Sequence, residues 1–596
     1  MNKGEKIMID IEKYLLLVEK PVQYMGNEVN SIHKSDYKVN MCLFFPDIYE
    51  VGMSNLGIRI LYDILNKVDG FSLERGFSPQ EDMEGVMREN NIPMFSLESR
   101  TALKEFDVVG FSLSYEMSYT NVLNALDLAG IPLRAEDRTE NHPLIMAGGT
   151  CTVNPAPMSK FVDYFVIGDG EDVMPEIARI FVANSDKTKA EKLELIKNID
   201  GVYIPKLHKG KKIKKALVHN LDSTEFYADQ IVPFVKIVHD RVSVEIQRGC
   251  TRGCRFCQAG YTYRPVRERT LGKNMALIEK TLKSTGYNEV SLSSLSSSDY
   301  SKINPLLENL QKKHGENNLS IGLPSLRMNP YSVEVAEQIQ SGKKTGFTFA
   351  PEAGTQRMRD IINKGVTEEE ILETAIAAVK GGWATLKFYF MIGLPFETDE
   401  DLKGIHELVM KVVKACKPFT KKLNITVSIS NFVPKPHTPF QWAEQMNIAE
   451  MERKHQLLKD IFYRARHTTL KMHFREKSYL EGFLSRGDEK ISDLLENVWK
   501  KGAKLEDHGR NFQFSRWKEA IDELNLDEKD YLGEKSTDVE LPWNMVDIGV
   551  SDKFYIDELK KAKELALTPD CRDNCIGCGM KGRIKECGEL ISDNLK

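Results

Sequence analysis

The alternation of apolar and polar positions divides the chain into two series of strand and helix units. In the first, Val39–Phe45 reads as a strand, Pro46–Asn55 as a loop, and Leu56–Leu65 repeats apolar residues at helical spacing. The runs Val108–Ser114, Leu144–Ala147 and Tyr164–Ile167 each open onto a polar or glycine-bearing segment. Repeated βα units of this kind predict a Rossmann-like, doubly wound parallel sheet over residues 1–180, an α/β class. Ahead of it, residues 1–20 scatter charges through apolar positions and read as an amphipathic helix.

The pattern loosens over 181–235. This stretch is expected to be a connector with a hairpin, Gly201–Pro205 against Ile213–Val218, joined by a lysine-rich turn. A second series then begins, with strands expected at 242–246, 289–292, 319–323, 346–350, 386–392 and 425–432. Six strands with intervening helices predict an incomplete (β/α)6 barrel over 236–440, its chemistry at the C-terminal strand ends. Residues 441–565 read as a helical, charged region, and 566–596 as a cysteine-rich tail.

A chain of 596 residues is too long for one core, and roughly three or four domains are expected. With 41% hydrophobic and 28% charged residues the composition is globular, and no apolar run approaches the ~18 residues that span a bilayer. The N-terminus lacks the apolar core and cleavage site of a secretory signal, so a cytoplasmic protein without a membrane is expected. The net charge of −5 denies the overall basic character of nonspecific nucleic-acid binders. The lysine clusters 206–215 and 417–422 read first as solvated faces, with RNA contact the less favoured reading. Ten cysteines in such a chain point to metal or redox chemistry rather than disulfides.

The first barrel strand runs into Gln247-Arg-Gly-Cys250-Thr-Arg-Gly-Cys254-Arg-Phe256-Cys257-Gln-Ala-Gly260. Three thiolates are one short of a closed zinc or ferredoxin-type site and leave a metal position open. This CxxxCxxC spacing, with the aromatic Phe256 before the last cysteine, resembles the radical S-adenosylmethionine (SAM) superfamily. The resemblance implies a catalytic [4Fe-4S] cluster on Cys250, Cys254 and Cys257, with SAM chelated at its unique iron. It further implies reductive cleavage of SAM to a 5′-deoxyadenosyl radical and an external electron donor such as flavodoxin or ferredoxin. Phe256 is placed among the SAM contacts. Where the family carries a Gly-Gly-Glu stretch this chain has Ser291–Asp299, so that Ser296, Ser297 and Asp299 are the candidates to hold the SAM amino group. In Ala350–Arg357, Glu352 is the expected hydroxyl acceptor and Arg357 the carboxylate clamp. Gly393, within Phe390–Thr398, is the expected adenine-side position where backbone approaches the ligand.

A Rossmann-like sheet ahead of such a barrel resembles the cobalamin-dependent branch of the superfamily. In these sheets ligands sit at the carboxyl ends of the strands, which here means Asp47–Asn55, Ser112, Ser114, Gly148, Gly149 and Gly168. The DxHxxG sequence that supplies a cobalt-ligating histidine does not occur, and a scaffold sheet without cofactor is the alternative. Cys151 reads as a small buried hydrophobe, and His437 as part of the rim of the site.

Cys571, Cys575, Cys578 and Cys587 are separated by three, two and eight residues. Four sulfurs can close a site, which leaves a second [4Fe-4S] cluster, structural zinc or a redox pair as readings. With Leu541–Val550, this tail resembles an uncharacterised family of radical SAM proteins carrying a cobalamin-binding-type N-terminal domain, and the resemblance implies a small companion protein as partner. The expected function is a radical SAM enzyme, a cobalamin-linked methyl or carbon-group transferase. The alternatives are an RNA-modifying enzyme of methylthiotransferase type that uses the second cluster, and a noncatalytic redox or cobalamin sensor.

Overall fold

The computed structural model describes residues 8–224, 228–315, 318–339, 346–582 and Cys587. The strands β1 (Val39–Phe45), β2 (Phe71–Phe77), β3 (Val108–Ser112), β4 (Leu144–Gly148), β5 (Tyr164–Val166) and β6 (Val202–Tyr203) form one sheet in the order β2-β1-β3-β4-β5-β6. All neighbours are parallel except β5 and β6. The order reverses beside β1, and open α/β sheets bind ligands in the crevice beyond the strand ends at such a reversal. Along β1 the side chains alternate between two cores. Met41 and Leu43 join the helices Leu56–Asn66 and Gly170–Ala183, whereas Cys42 and Phe44 meet Tyr479, Leu484 and Trp517 of the C-terminal helical region. That region therefore shares its core with the first sheet.

β2 is absent from the sequence expectation because Glu74, Arg75 and Gly76 interrupt its apolar run. Its buried charge is paired: Arg75 binds Glu28 at 2.8 Å and Glu98 at 2.6 Å. Tyr49 also donates to Glu28. In place of the expected N-terminal amphipathic helix, Glu12–Leu17 makes one 3-10 turn, and positions 1–7 lie outside the described residues.

The expected hairpin does not form. β6 closes the first sheet, while β7 (Ile213–Lys214) pairs in parallel with Val546–Asp547. Val202 of β6 packs into one core and Tyr203 into the other, which it shares with Ile213 of β7. Within the lysine-rich segment, Lys215 points inward and donates to the carbonyls of Thr262 and Arg264. Burial pushes its ammonium down to about 8.

The barrel strands are β8 (Val242–Glu245), β11 (Glu289–Ser293), β12 (Ser320–Gly322), β13 (Phe347–Glu352), β14 (Thr385–Ile392), β15 (Asn424–Asn431) and β16 (Thr468–Met472), and every paired neighbour is parallel. Two short strands, β9 (Gln247–Arg248) and β10 (Arg267–Glu268), lie between β8 and β11, and Val546–Asp547 is β17. The barrel strands run in two hydrogen-bonded sets, β12-β11-β8 and β13-β14-β15-β16. Six of them match the sequence expectation. The seventh, β16, is an edge strand whose second and fourth residues are exposed, so it carries no apolar run to betray it. No helix among the described residues is long and apolar enough to cross a membrane. Replacing Arg75 with methionine strands two buried carboxylates and is expected to remove about 3–5 kcal/mol of stability. A urea midpoint that stays in place would show that this ion pair does not hold the sheet edge.

Candidate active site

Gln247–Arg248 pairs antiparallel with Arg267–Glu268 and clasps residues 249–266 into a closed loop at the end of β8. Gly249 has φ +87°, and a Cβ there would meet the Tyr263 carbonyl oxygen at 2.6 Å, so the loop crosses itself only because this residue is glycine. Cys250, Cys254 and Cys257 are all half-buried in this loop. Cys257 donates its N–H to the Cys254 carbonyl and accepts from Gly260, which sets the tight turn around the last two sulfurs. Burial, with the neighbouring Cys254 sulfur, pushes the Cys250 thiol up to about 11 and Cys257 up to about 12. Metal binding to these thiols releases protons.

Phe256 packs with the apolar group of Ala353, Met358 and Leu394, so that the loop leans on the elements following β13 and β14. Arg255 is fully buried. It binds Glu558 at 3.0 Å and the carbonyls of Asp360, Ile361 and Ala566. Glu352 stands at the end of β13 with φ +67°, beside a register shift, and its carboxylate lies 3.2 Å from Lys364. Burial works against the Lys364 ammonium, but Glu352 and the Cys254 and Cys257 sulfurs hold it above its ordinary value. A cation thus sits beside two of the three sulfurs, a position that carries no motif in the sequence.

Several expected SAM contacts have partners within the protein. Asp299 binds Arg252 at 2.8 Å and Arg572 at 3.3 Å, and accepts from the Ser296 hydroxyl. Burial is outweighed by these donors, and the carboxyl is held down to about 2. The Ser297 hydroxyl donates to the Leu292 carbonyl. Arg357 is bound to Asp401 and to the Phe396 carbonyl. At Gly393 the space a side chain would take is filled by Met446, whose methyl is 2.1 Å from where a Cβ would be. Asp299, Ser296, Ser297 and Arg357 are thus each tied to neighbouring elements by hydrogen bonds or ion pairs within the protein. His437, buried, donates its ring Nε2–H to the Val153 carbonyl at 3.0 Å. Cys151 is buried, as a small hydrophobe would be.

Between the first sheet and the barrel lies a cleft of about 1340 Å3, counting its open mouth. Ser112, Ser114, Gly148, Gly149 and Gly168 line one wall, and Gln247, Arg248, Gly249 and Tyr263 the other. Asp169 and Glu171 from the first sheet bind Arg248 at its base, and Asp169 also binds Arg267 at 2.6 Å. Gln247, almost fully buried, leaves its side-chain oxygen without a partner at this wall. The serine hydroxyls and the backbone at the strand-end glycines fit a large ligand with many amide groups. No histidine is among the described lining residues. Asp47, in an expected ligand loop, is bound to His508 at 2.7 Å.

Cys571, Cys575, Cys578 and Cys587 line a single small cavity together with Cys250. The tail is welded to the first cysteine loop. Cys571 donates its N–H to the Thr251 carbonyl at 3.2 Å, and Asp570 accepts from Thr251 and binds Arg252 at 3.0 Å.

Residues 244–409 match the family model described as Radical SAM superfamily, and residues 57–205 the one described as Radical SAM proteins, N-terminal. The chain is 28% identical over 464 residues to an uncharacterized protein of Methanocaldococcus jannaschii, MJ0966, covering 77% of this chain and 90% of that one. It is 23% identical over 322 residues to the threonylcarbamoyladenosine tRNA methylthiotransferase MtaB of Aquifex aeolicus, covering 51% and 70%. The solved radical S-adenosylmethionine methyltransferase TsrM from Kitasatospora setae, with cobalamin and a [4Fe-4S] cluster bound, superposes with a TM-score of 0.50 at 13% identity, covering 82% of this chain and 98% of that one. At that identity the likeness is one of fold. A double-mutant cycle with Arg252→Ala and Asp570→Asn, read by urea unfolding, is expected to give a coupling of about 1–3 kcal/mol. Additive effects would show that the tail is not held by this pair.

Proposed function

The chain belongs to the radical SAM superfamily, and from that premise we propose that it is a radical SAM enzyme transferring a methyl or other carbon group with a cobalamin held in the cleft. The observation that carries the reading is the continuity of that cleft, whose walls come from the strand-end glycines of the first sheet and from Arg248 and Gly249, directly before Cys250. A corrinoid held there would lie beside the cysteine loop. A [4Fe-4S] cluster held by Cys250, Cys254 and Cys257, with SAM at its open iron, would supply reductive cleavage of the sulfonium with one electron from an external donor.

The residues of this chain supply position and charge. Three half-buried thiols leave one metal position for the cosubstrate. Lys364 sets a fixed cation beside Cys254 and Cys257, and Glu352 orients it. Arg255 and Phe256 anchor the loop against the ends of β13 and β14, which restricts its motion and excludes water from behind the sulfurs. Ser112 and Ser114 offer hydroxyls to ligand amides. A cobalamin here takes no histidine from the described wall.

A tRNA substrate is the second reading, favoured by the name of the Aquifex relative. Against it, Lys215 is buried within the lysine cluster and Lys214 is paired with Asp200. Anaerobic reconstitution with iron and sulfide, followed by SAM and a low-potential reductant, is expected to yield 5′-deoxyadenosine in the wild type and none in Cys254→Ala. Undiminished cleavage in that variant would sink the assignment of the loop. Titration with hydroxocobalamin is expected to show stoichiometric binding that Ser112→Trp, which fills the cleft, abolishes while iron content is retained. No corrinoid binding by the wild type would leave the transferase reading without support.

A further inference from the structure

The tail cavity contains a charge that nothing in the described protein balances. Arg264 is 3% exposed. Its Nε donates to the Gly260 carbonyl at 3.0 Å, one Nη donates to the Arg252 carbonyl at 3.3 Å, and its plane lies 4.8 Å from the Tyr261 ring centre and 5.6 Å from that of Phe554. The other Nη finds no oxygen or nitrogen acceptor, and the Cys578 sulfur is the polar side-chain group it faces. Among the described residues no carboxylate pairs with this guanidinium, and the groups its charge meets are the Tyr261 ring and the sulfurs of Cys578 and Cys571. An unpaired buried cation is destabilising by several kcal/mol. Protonated thiols do not relieve that penalty, whereas four thiolates bound to a metal form a net negative centre that does.

The arrangement of the sulfurs selects the kind of centre. A structural zinc ion requires four sulfurs at about 2.3 Å from one point. Here the four cysteines line one cavity together with Cys250. A cluster, whose several irons each take one thiolate, fits ligands set around a cavity. We propose that Cys571, Cys575, Cys578 and Cys587 hold a second iron–sulfur cluster, distinct from the one on the barrel loop, and that Arg264 is its counter-charge and positioning residue. Arg264 also binds the backbone of both halves of the first cysteine loop, at Arg252 and Gly260. With the Thr251–Cys571 hydrogen bond, it places the second centre directly behind Cys250.

The full chain carrying Cys254→Ala, reconstituted anaerobically with ferrous iron and sulfide, isolates the tail centre. It is expected to retain about four irons per chain, and adding Cys571→Ser and Cys578→Ser is expected to abolish that iron. In the same background Arg264→Gln is expected to make the cluster harder to reduce, by at least tenfold in its reduced-to-oxidised ratio, about 59 mV for one electron, with Arg264→Lys restoring most of the shift. Loss of the cluster from Arg264→Gln but not from Arg264→Lys supports the proposal equally. Zinc in place of iron, iron indifferent to the tail substitutions, or a potential unmoved in Arg264→Gln would overturn it. Failure of SAM cleavage with the tail iron intact would bear only on the barrel loop.

Discussion

The burial of arginines in and beside the first cysteine loop is the constraint on which the rest of the structure depends. A guanidinium cannot lose its charge, so each one taken out of water must find acceptors, and four of those here find carboxylates on distant parts of the chain. Arg248 and Arg267 reach Asp169 of the first sheet. Arg252 reaches Asp299 after β11 and Asp570 of the tail. Arg255 reaches Glu558 and the backbone after β13. These pairs tie the loop to the sheet, the barrel and the tail together.

That assembly explains why the cleft and the two cysteine sets lie together. The ion cluster of Asp169, Glu171 and Glu245 with Arg248 joins the first sheet to the barrel mouth at the base of the cleft. On the far side of the same loop, Asp570, Arg572 and Asp299 tie the tail to the end of β11. The helical region completes the enclosure by burying Cys42 and Phe44 of β1 together with Trp517 and Leu484. The loop is thus held from three sides before any ligand is considered, which is the preorganisation that a site handling a reactive intermediate requires.

Some of the site was legible in sequence because its chemistry is local. The three barrel-loop sulfurs fall within one turn-rich segment, and their spacing is itself the ligand geometry. The strand-end residues Ser112, Gly148, Gly149 and Gly168 were legible for a similar reason, since each ends an apolar run and all face the cleft. Asp299 and Arg357 were assigned to a ligand because their motif positions are right. Folding supplies them with Arg252, Arg572 and Asp401, which lie far away in the chain. Lys364, Arg255 and Arg264 were invisible, because a basic residue in a loop reads as surface until its burial is known. β2 was missed for the same reason, since Arg75 disguises a core strand.

By itself, then, the sequence determined the two βα series, the open three-sulfur loop and a four-sulfur tail, all features encoded by periodicity or short spacing. Only the tertiary structure decided that one cleft joins the sheet to that loop, and that the helical region has no separate core. It alone set the tail cysteines behind Cys250 around an unbalanced guanidinium. The physical reason is that pairing of buried charge is a contest among residues hundreds of positions apart, such as Arg252 with Asp570, and no local pattern records who wins it.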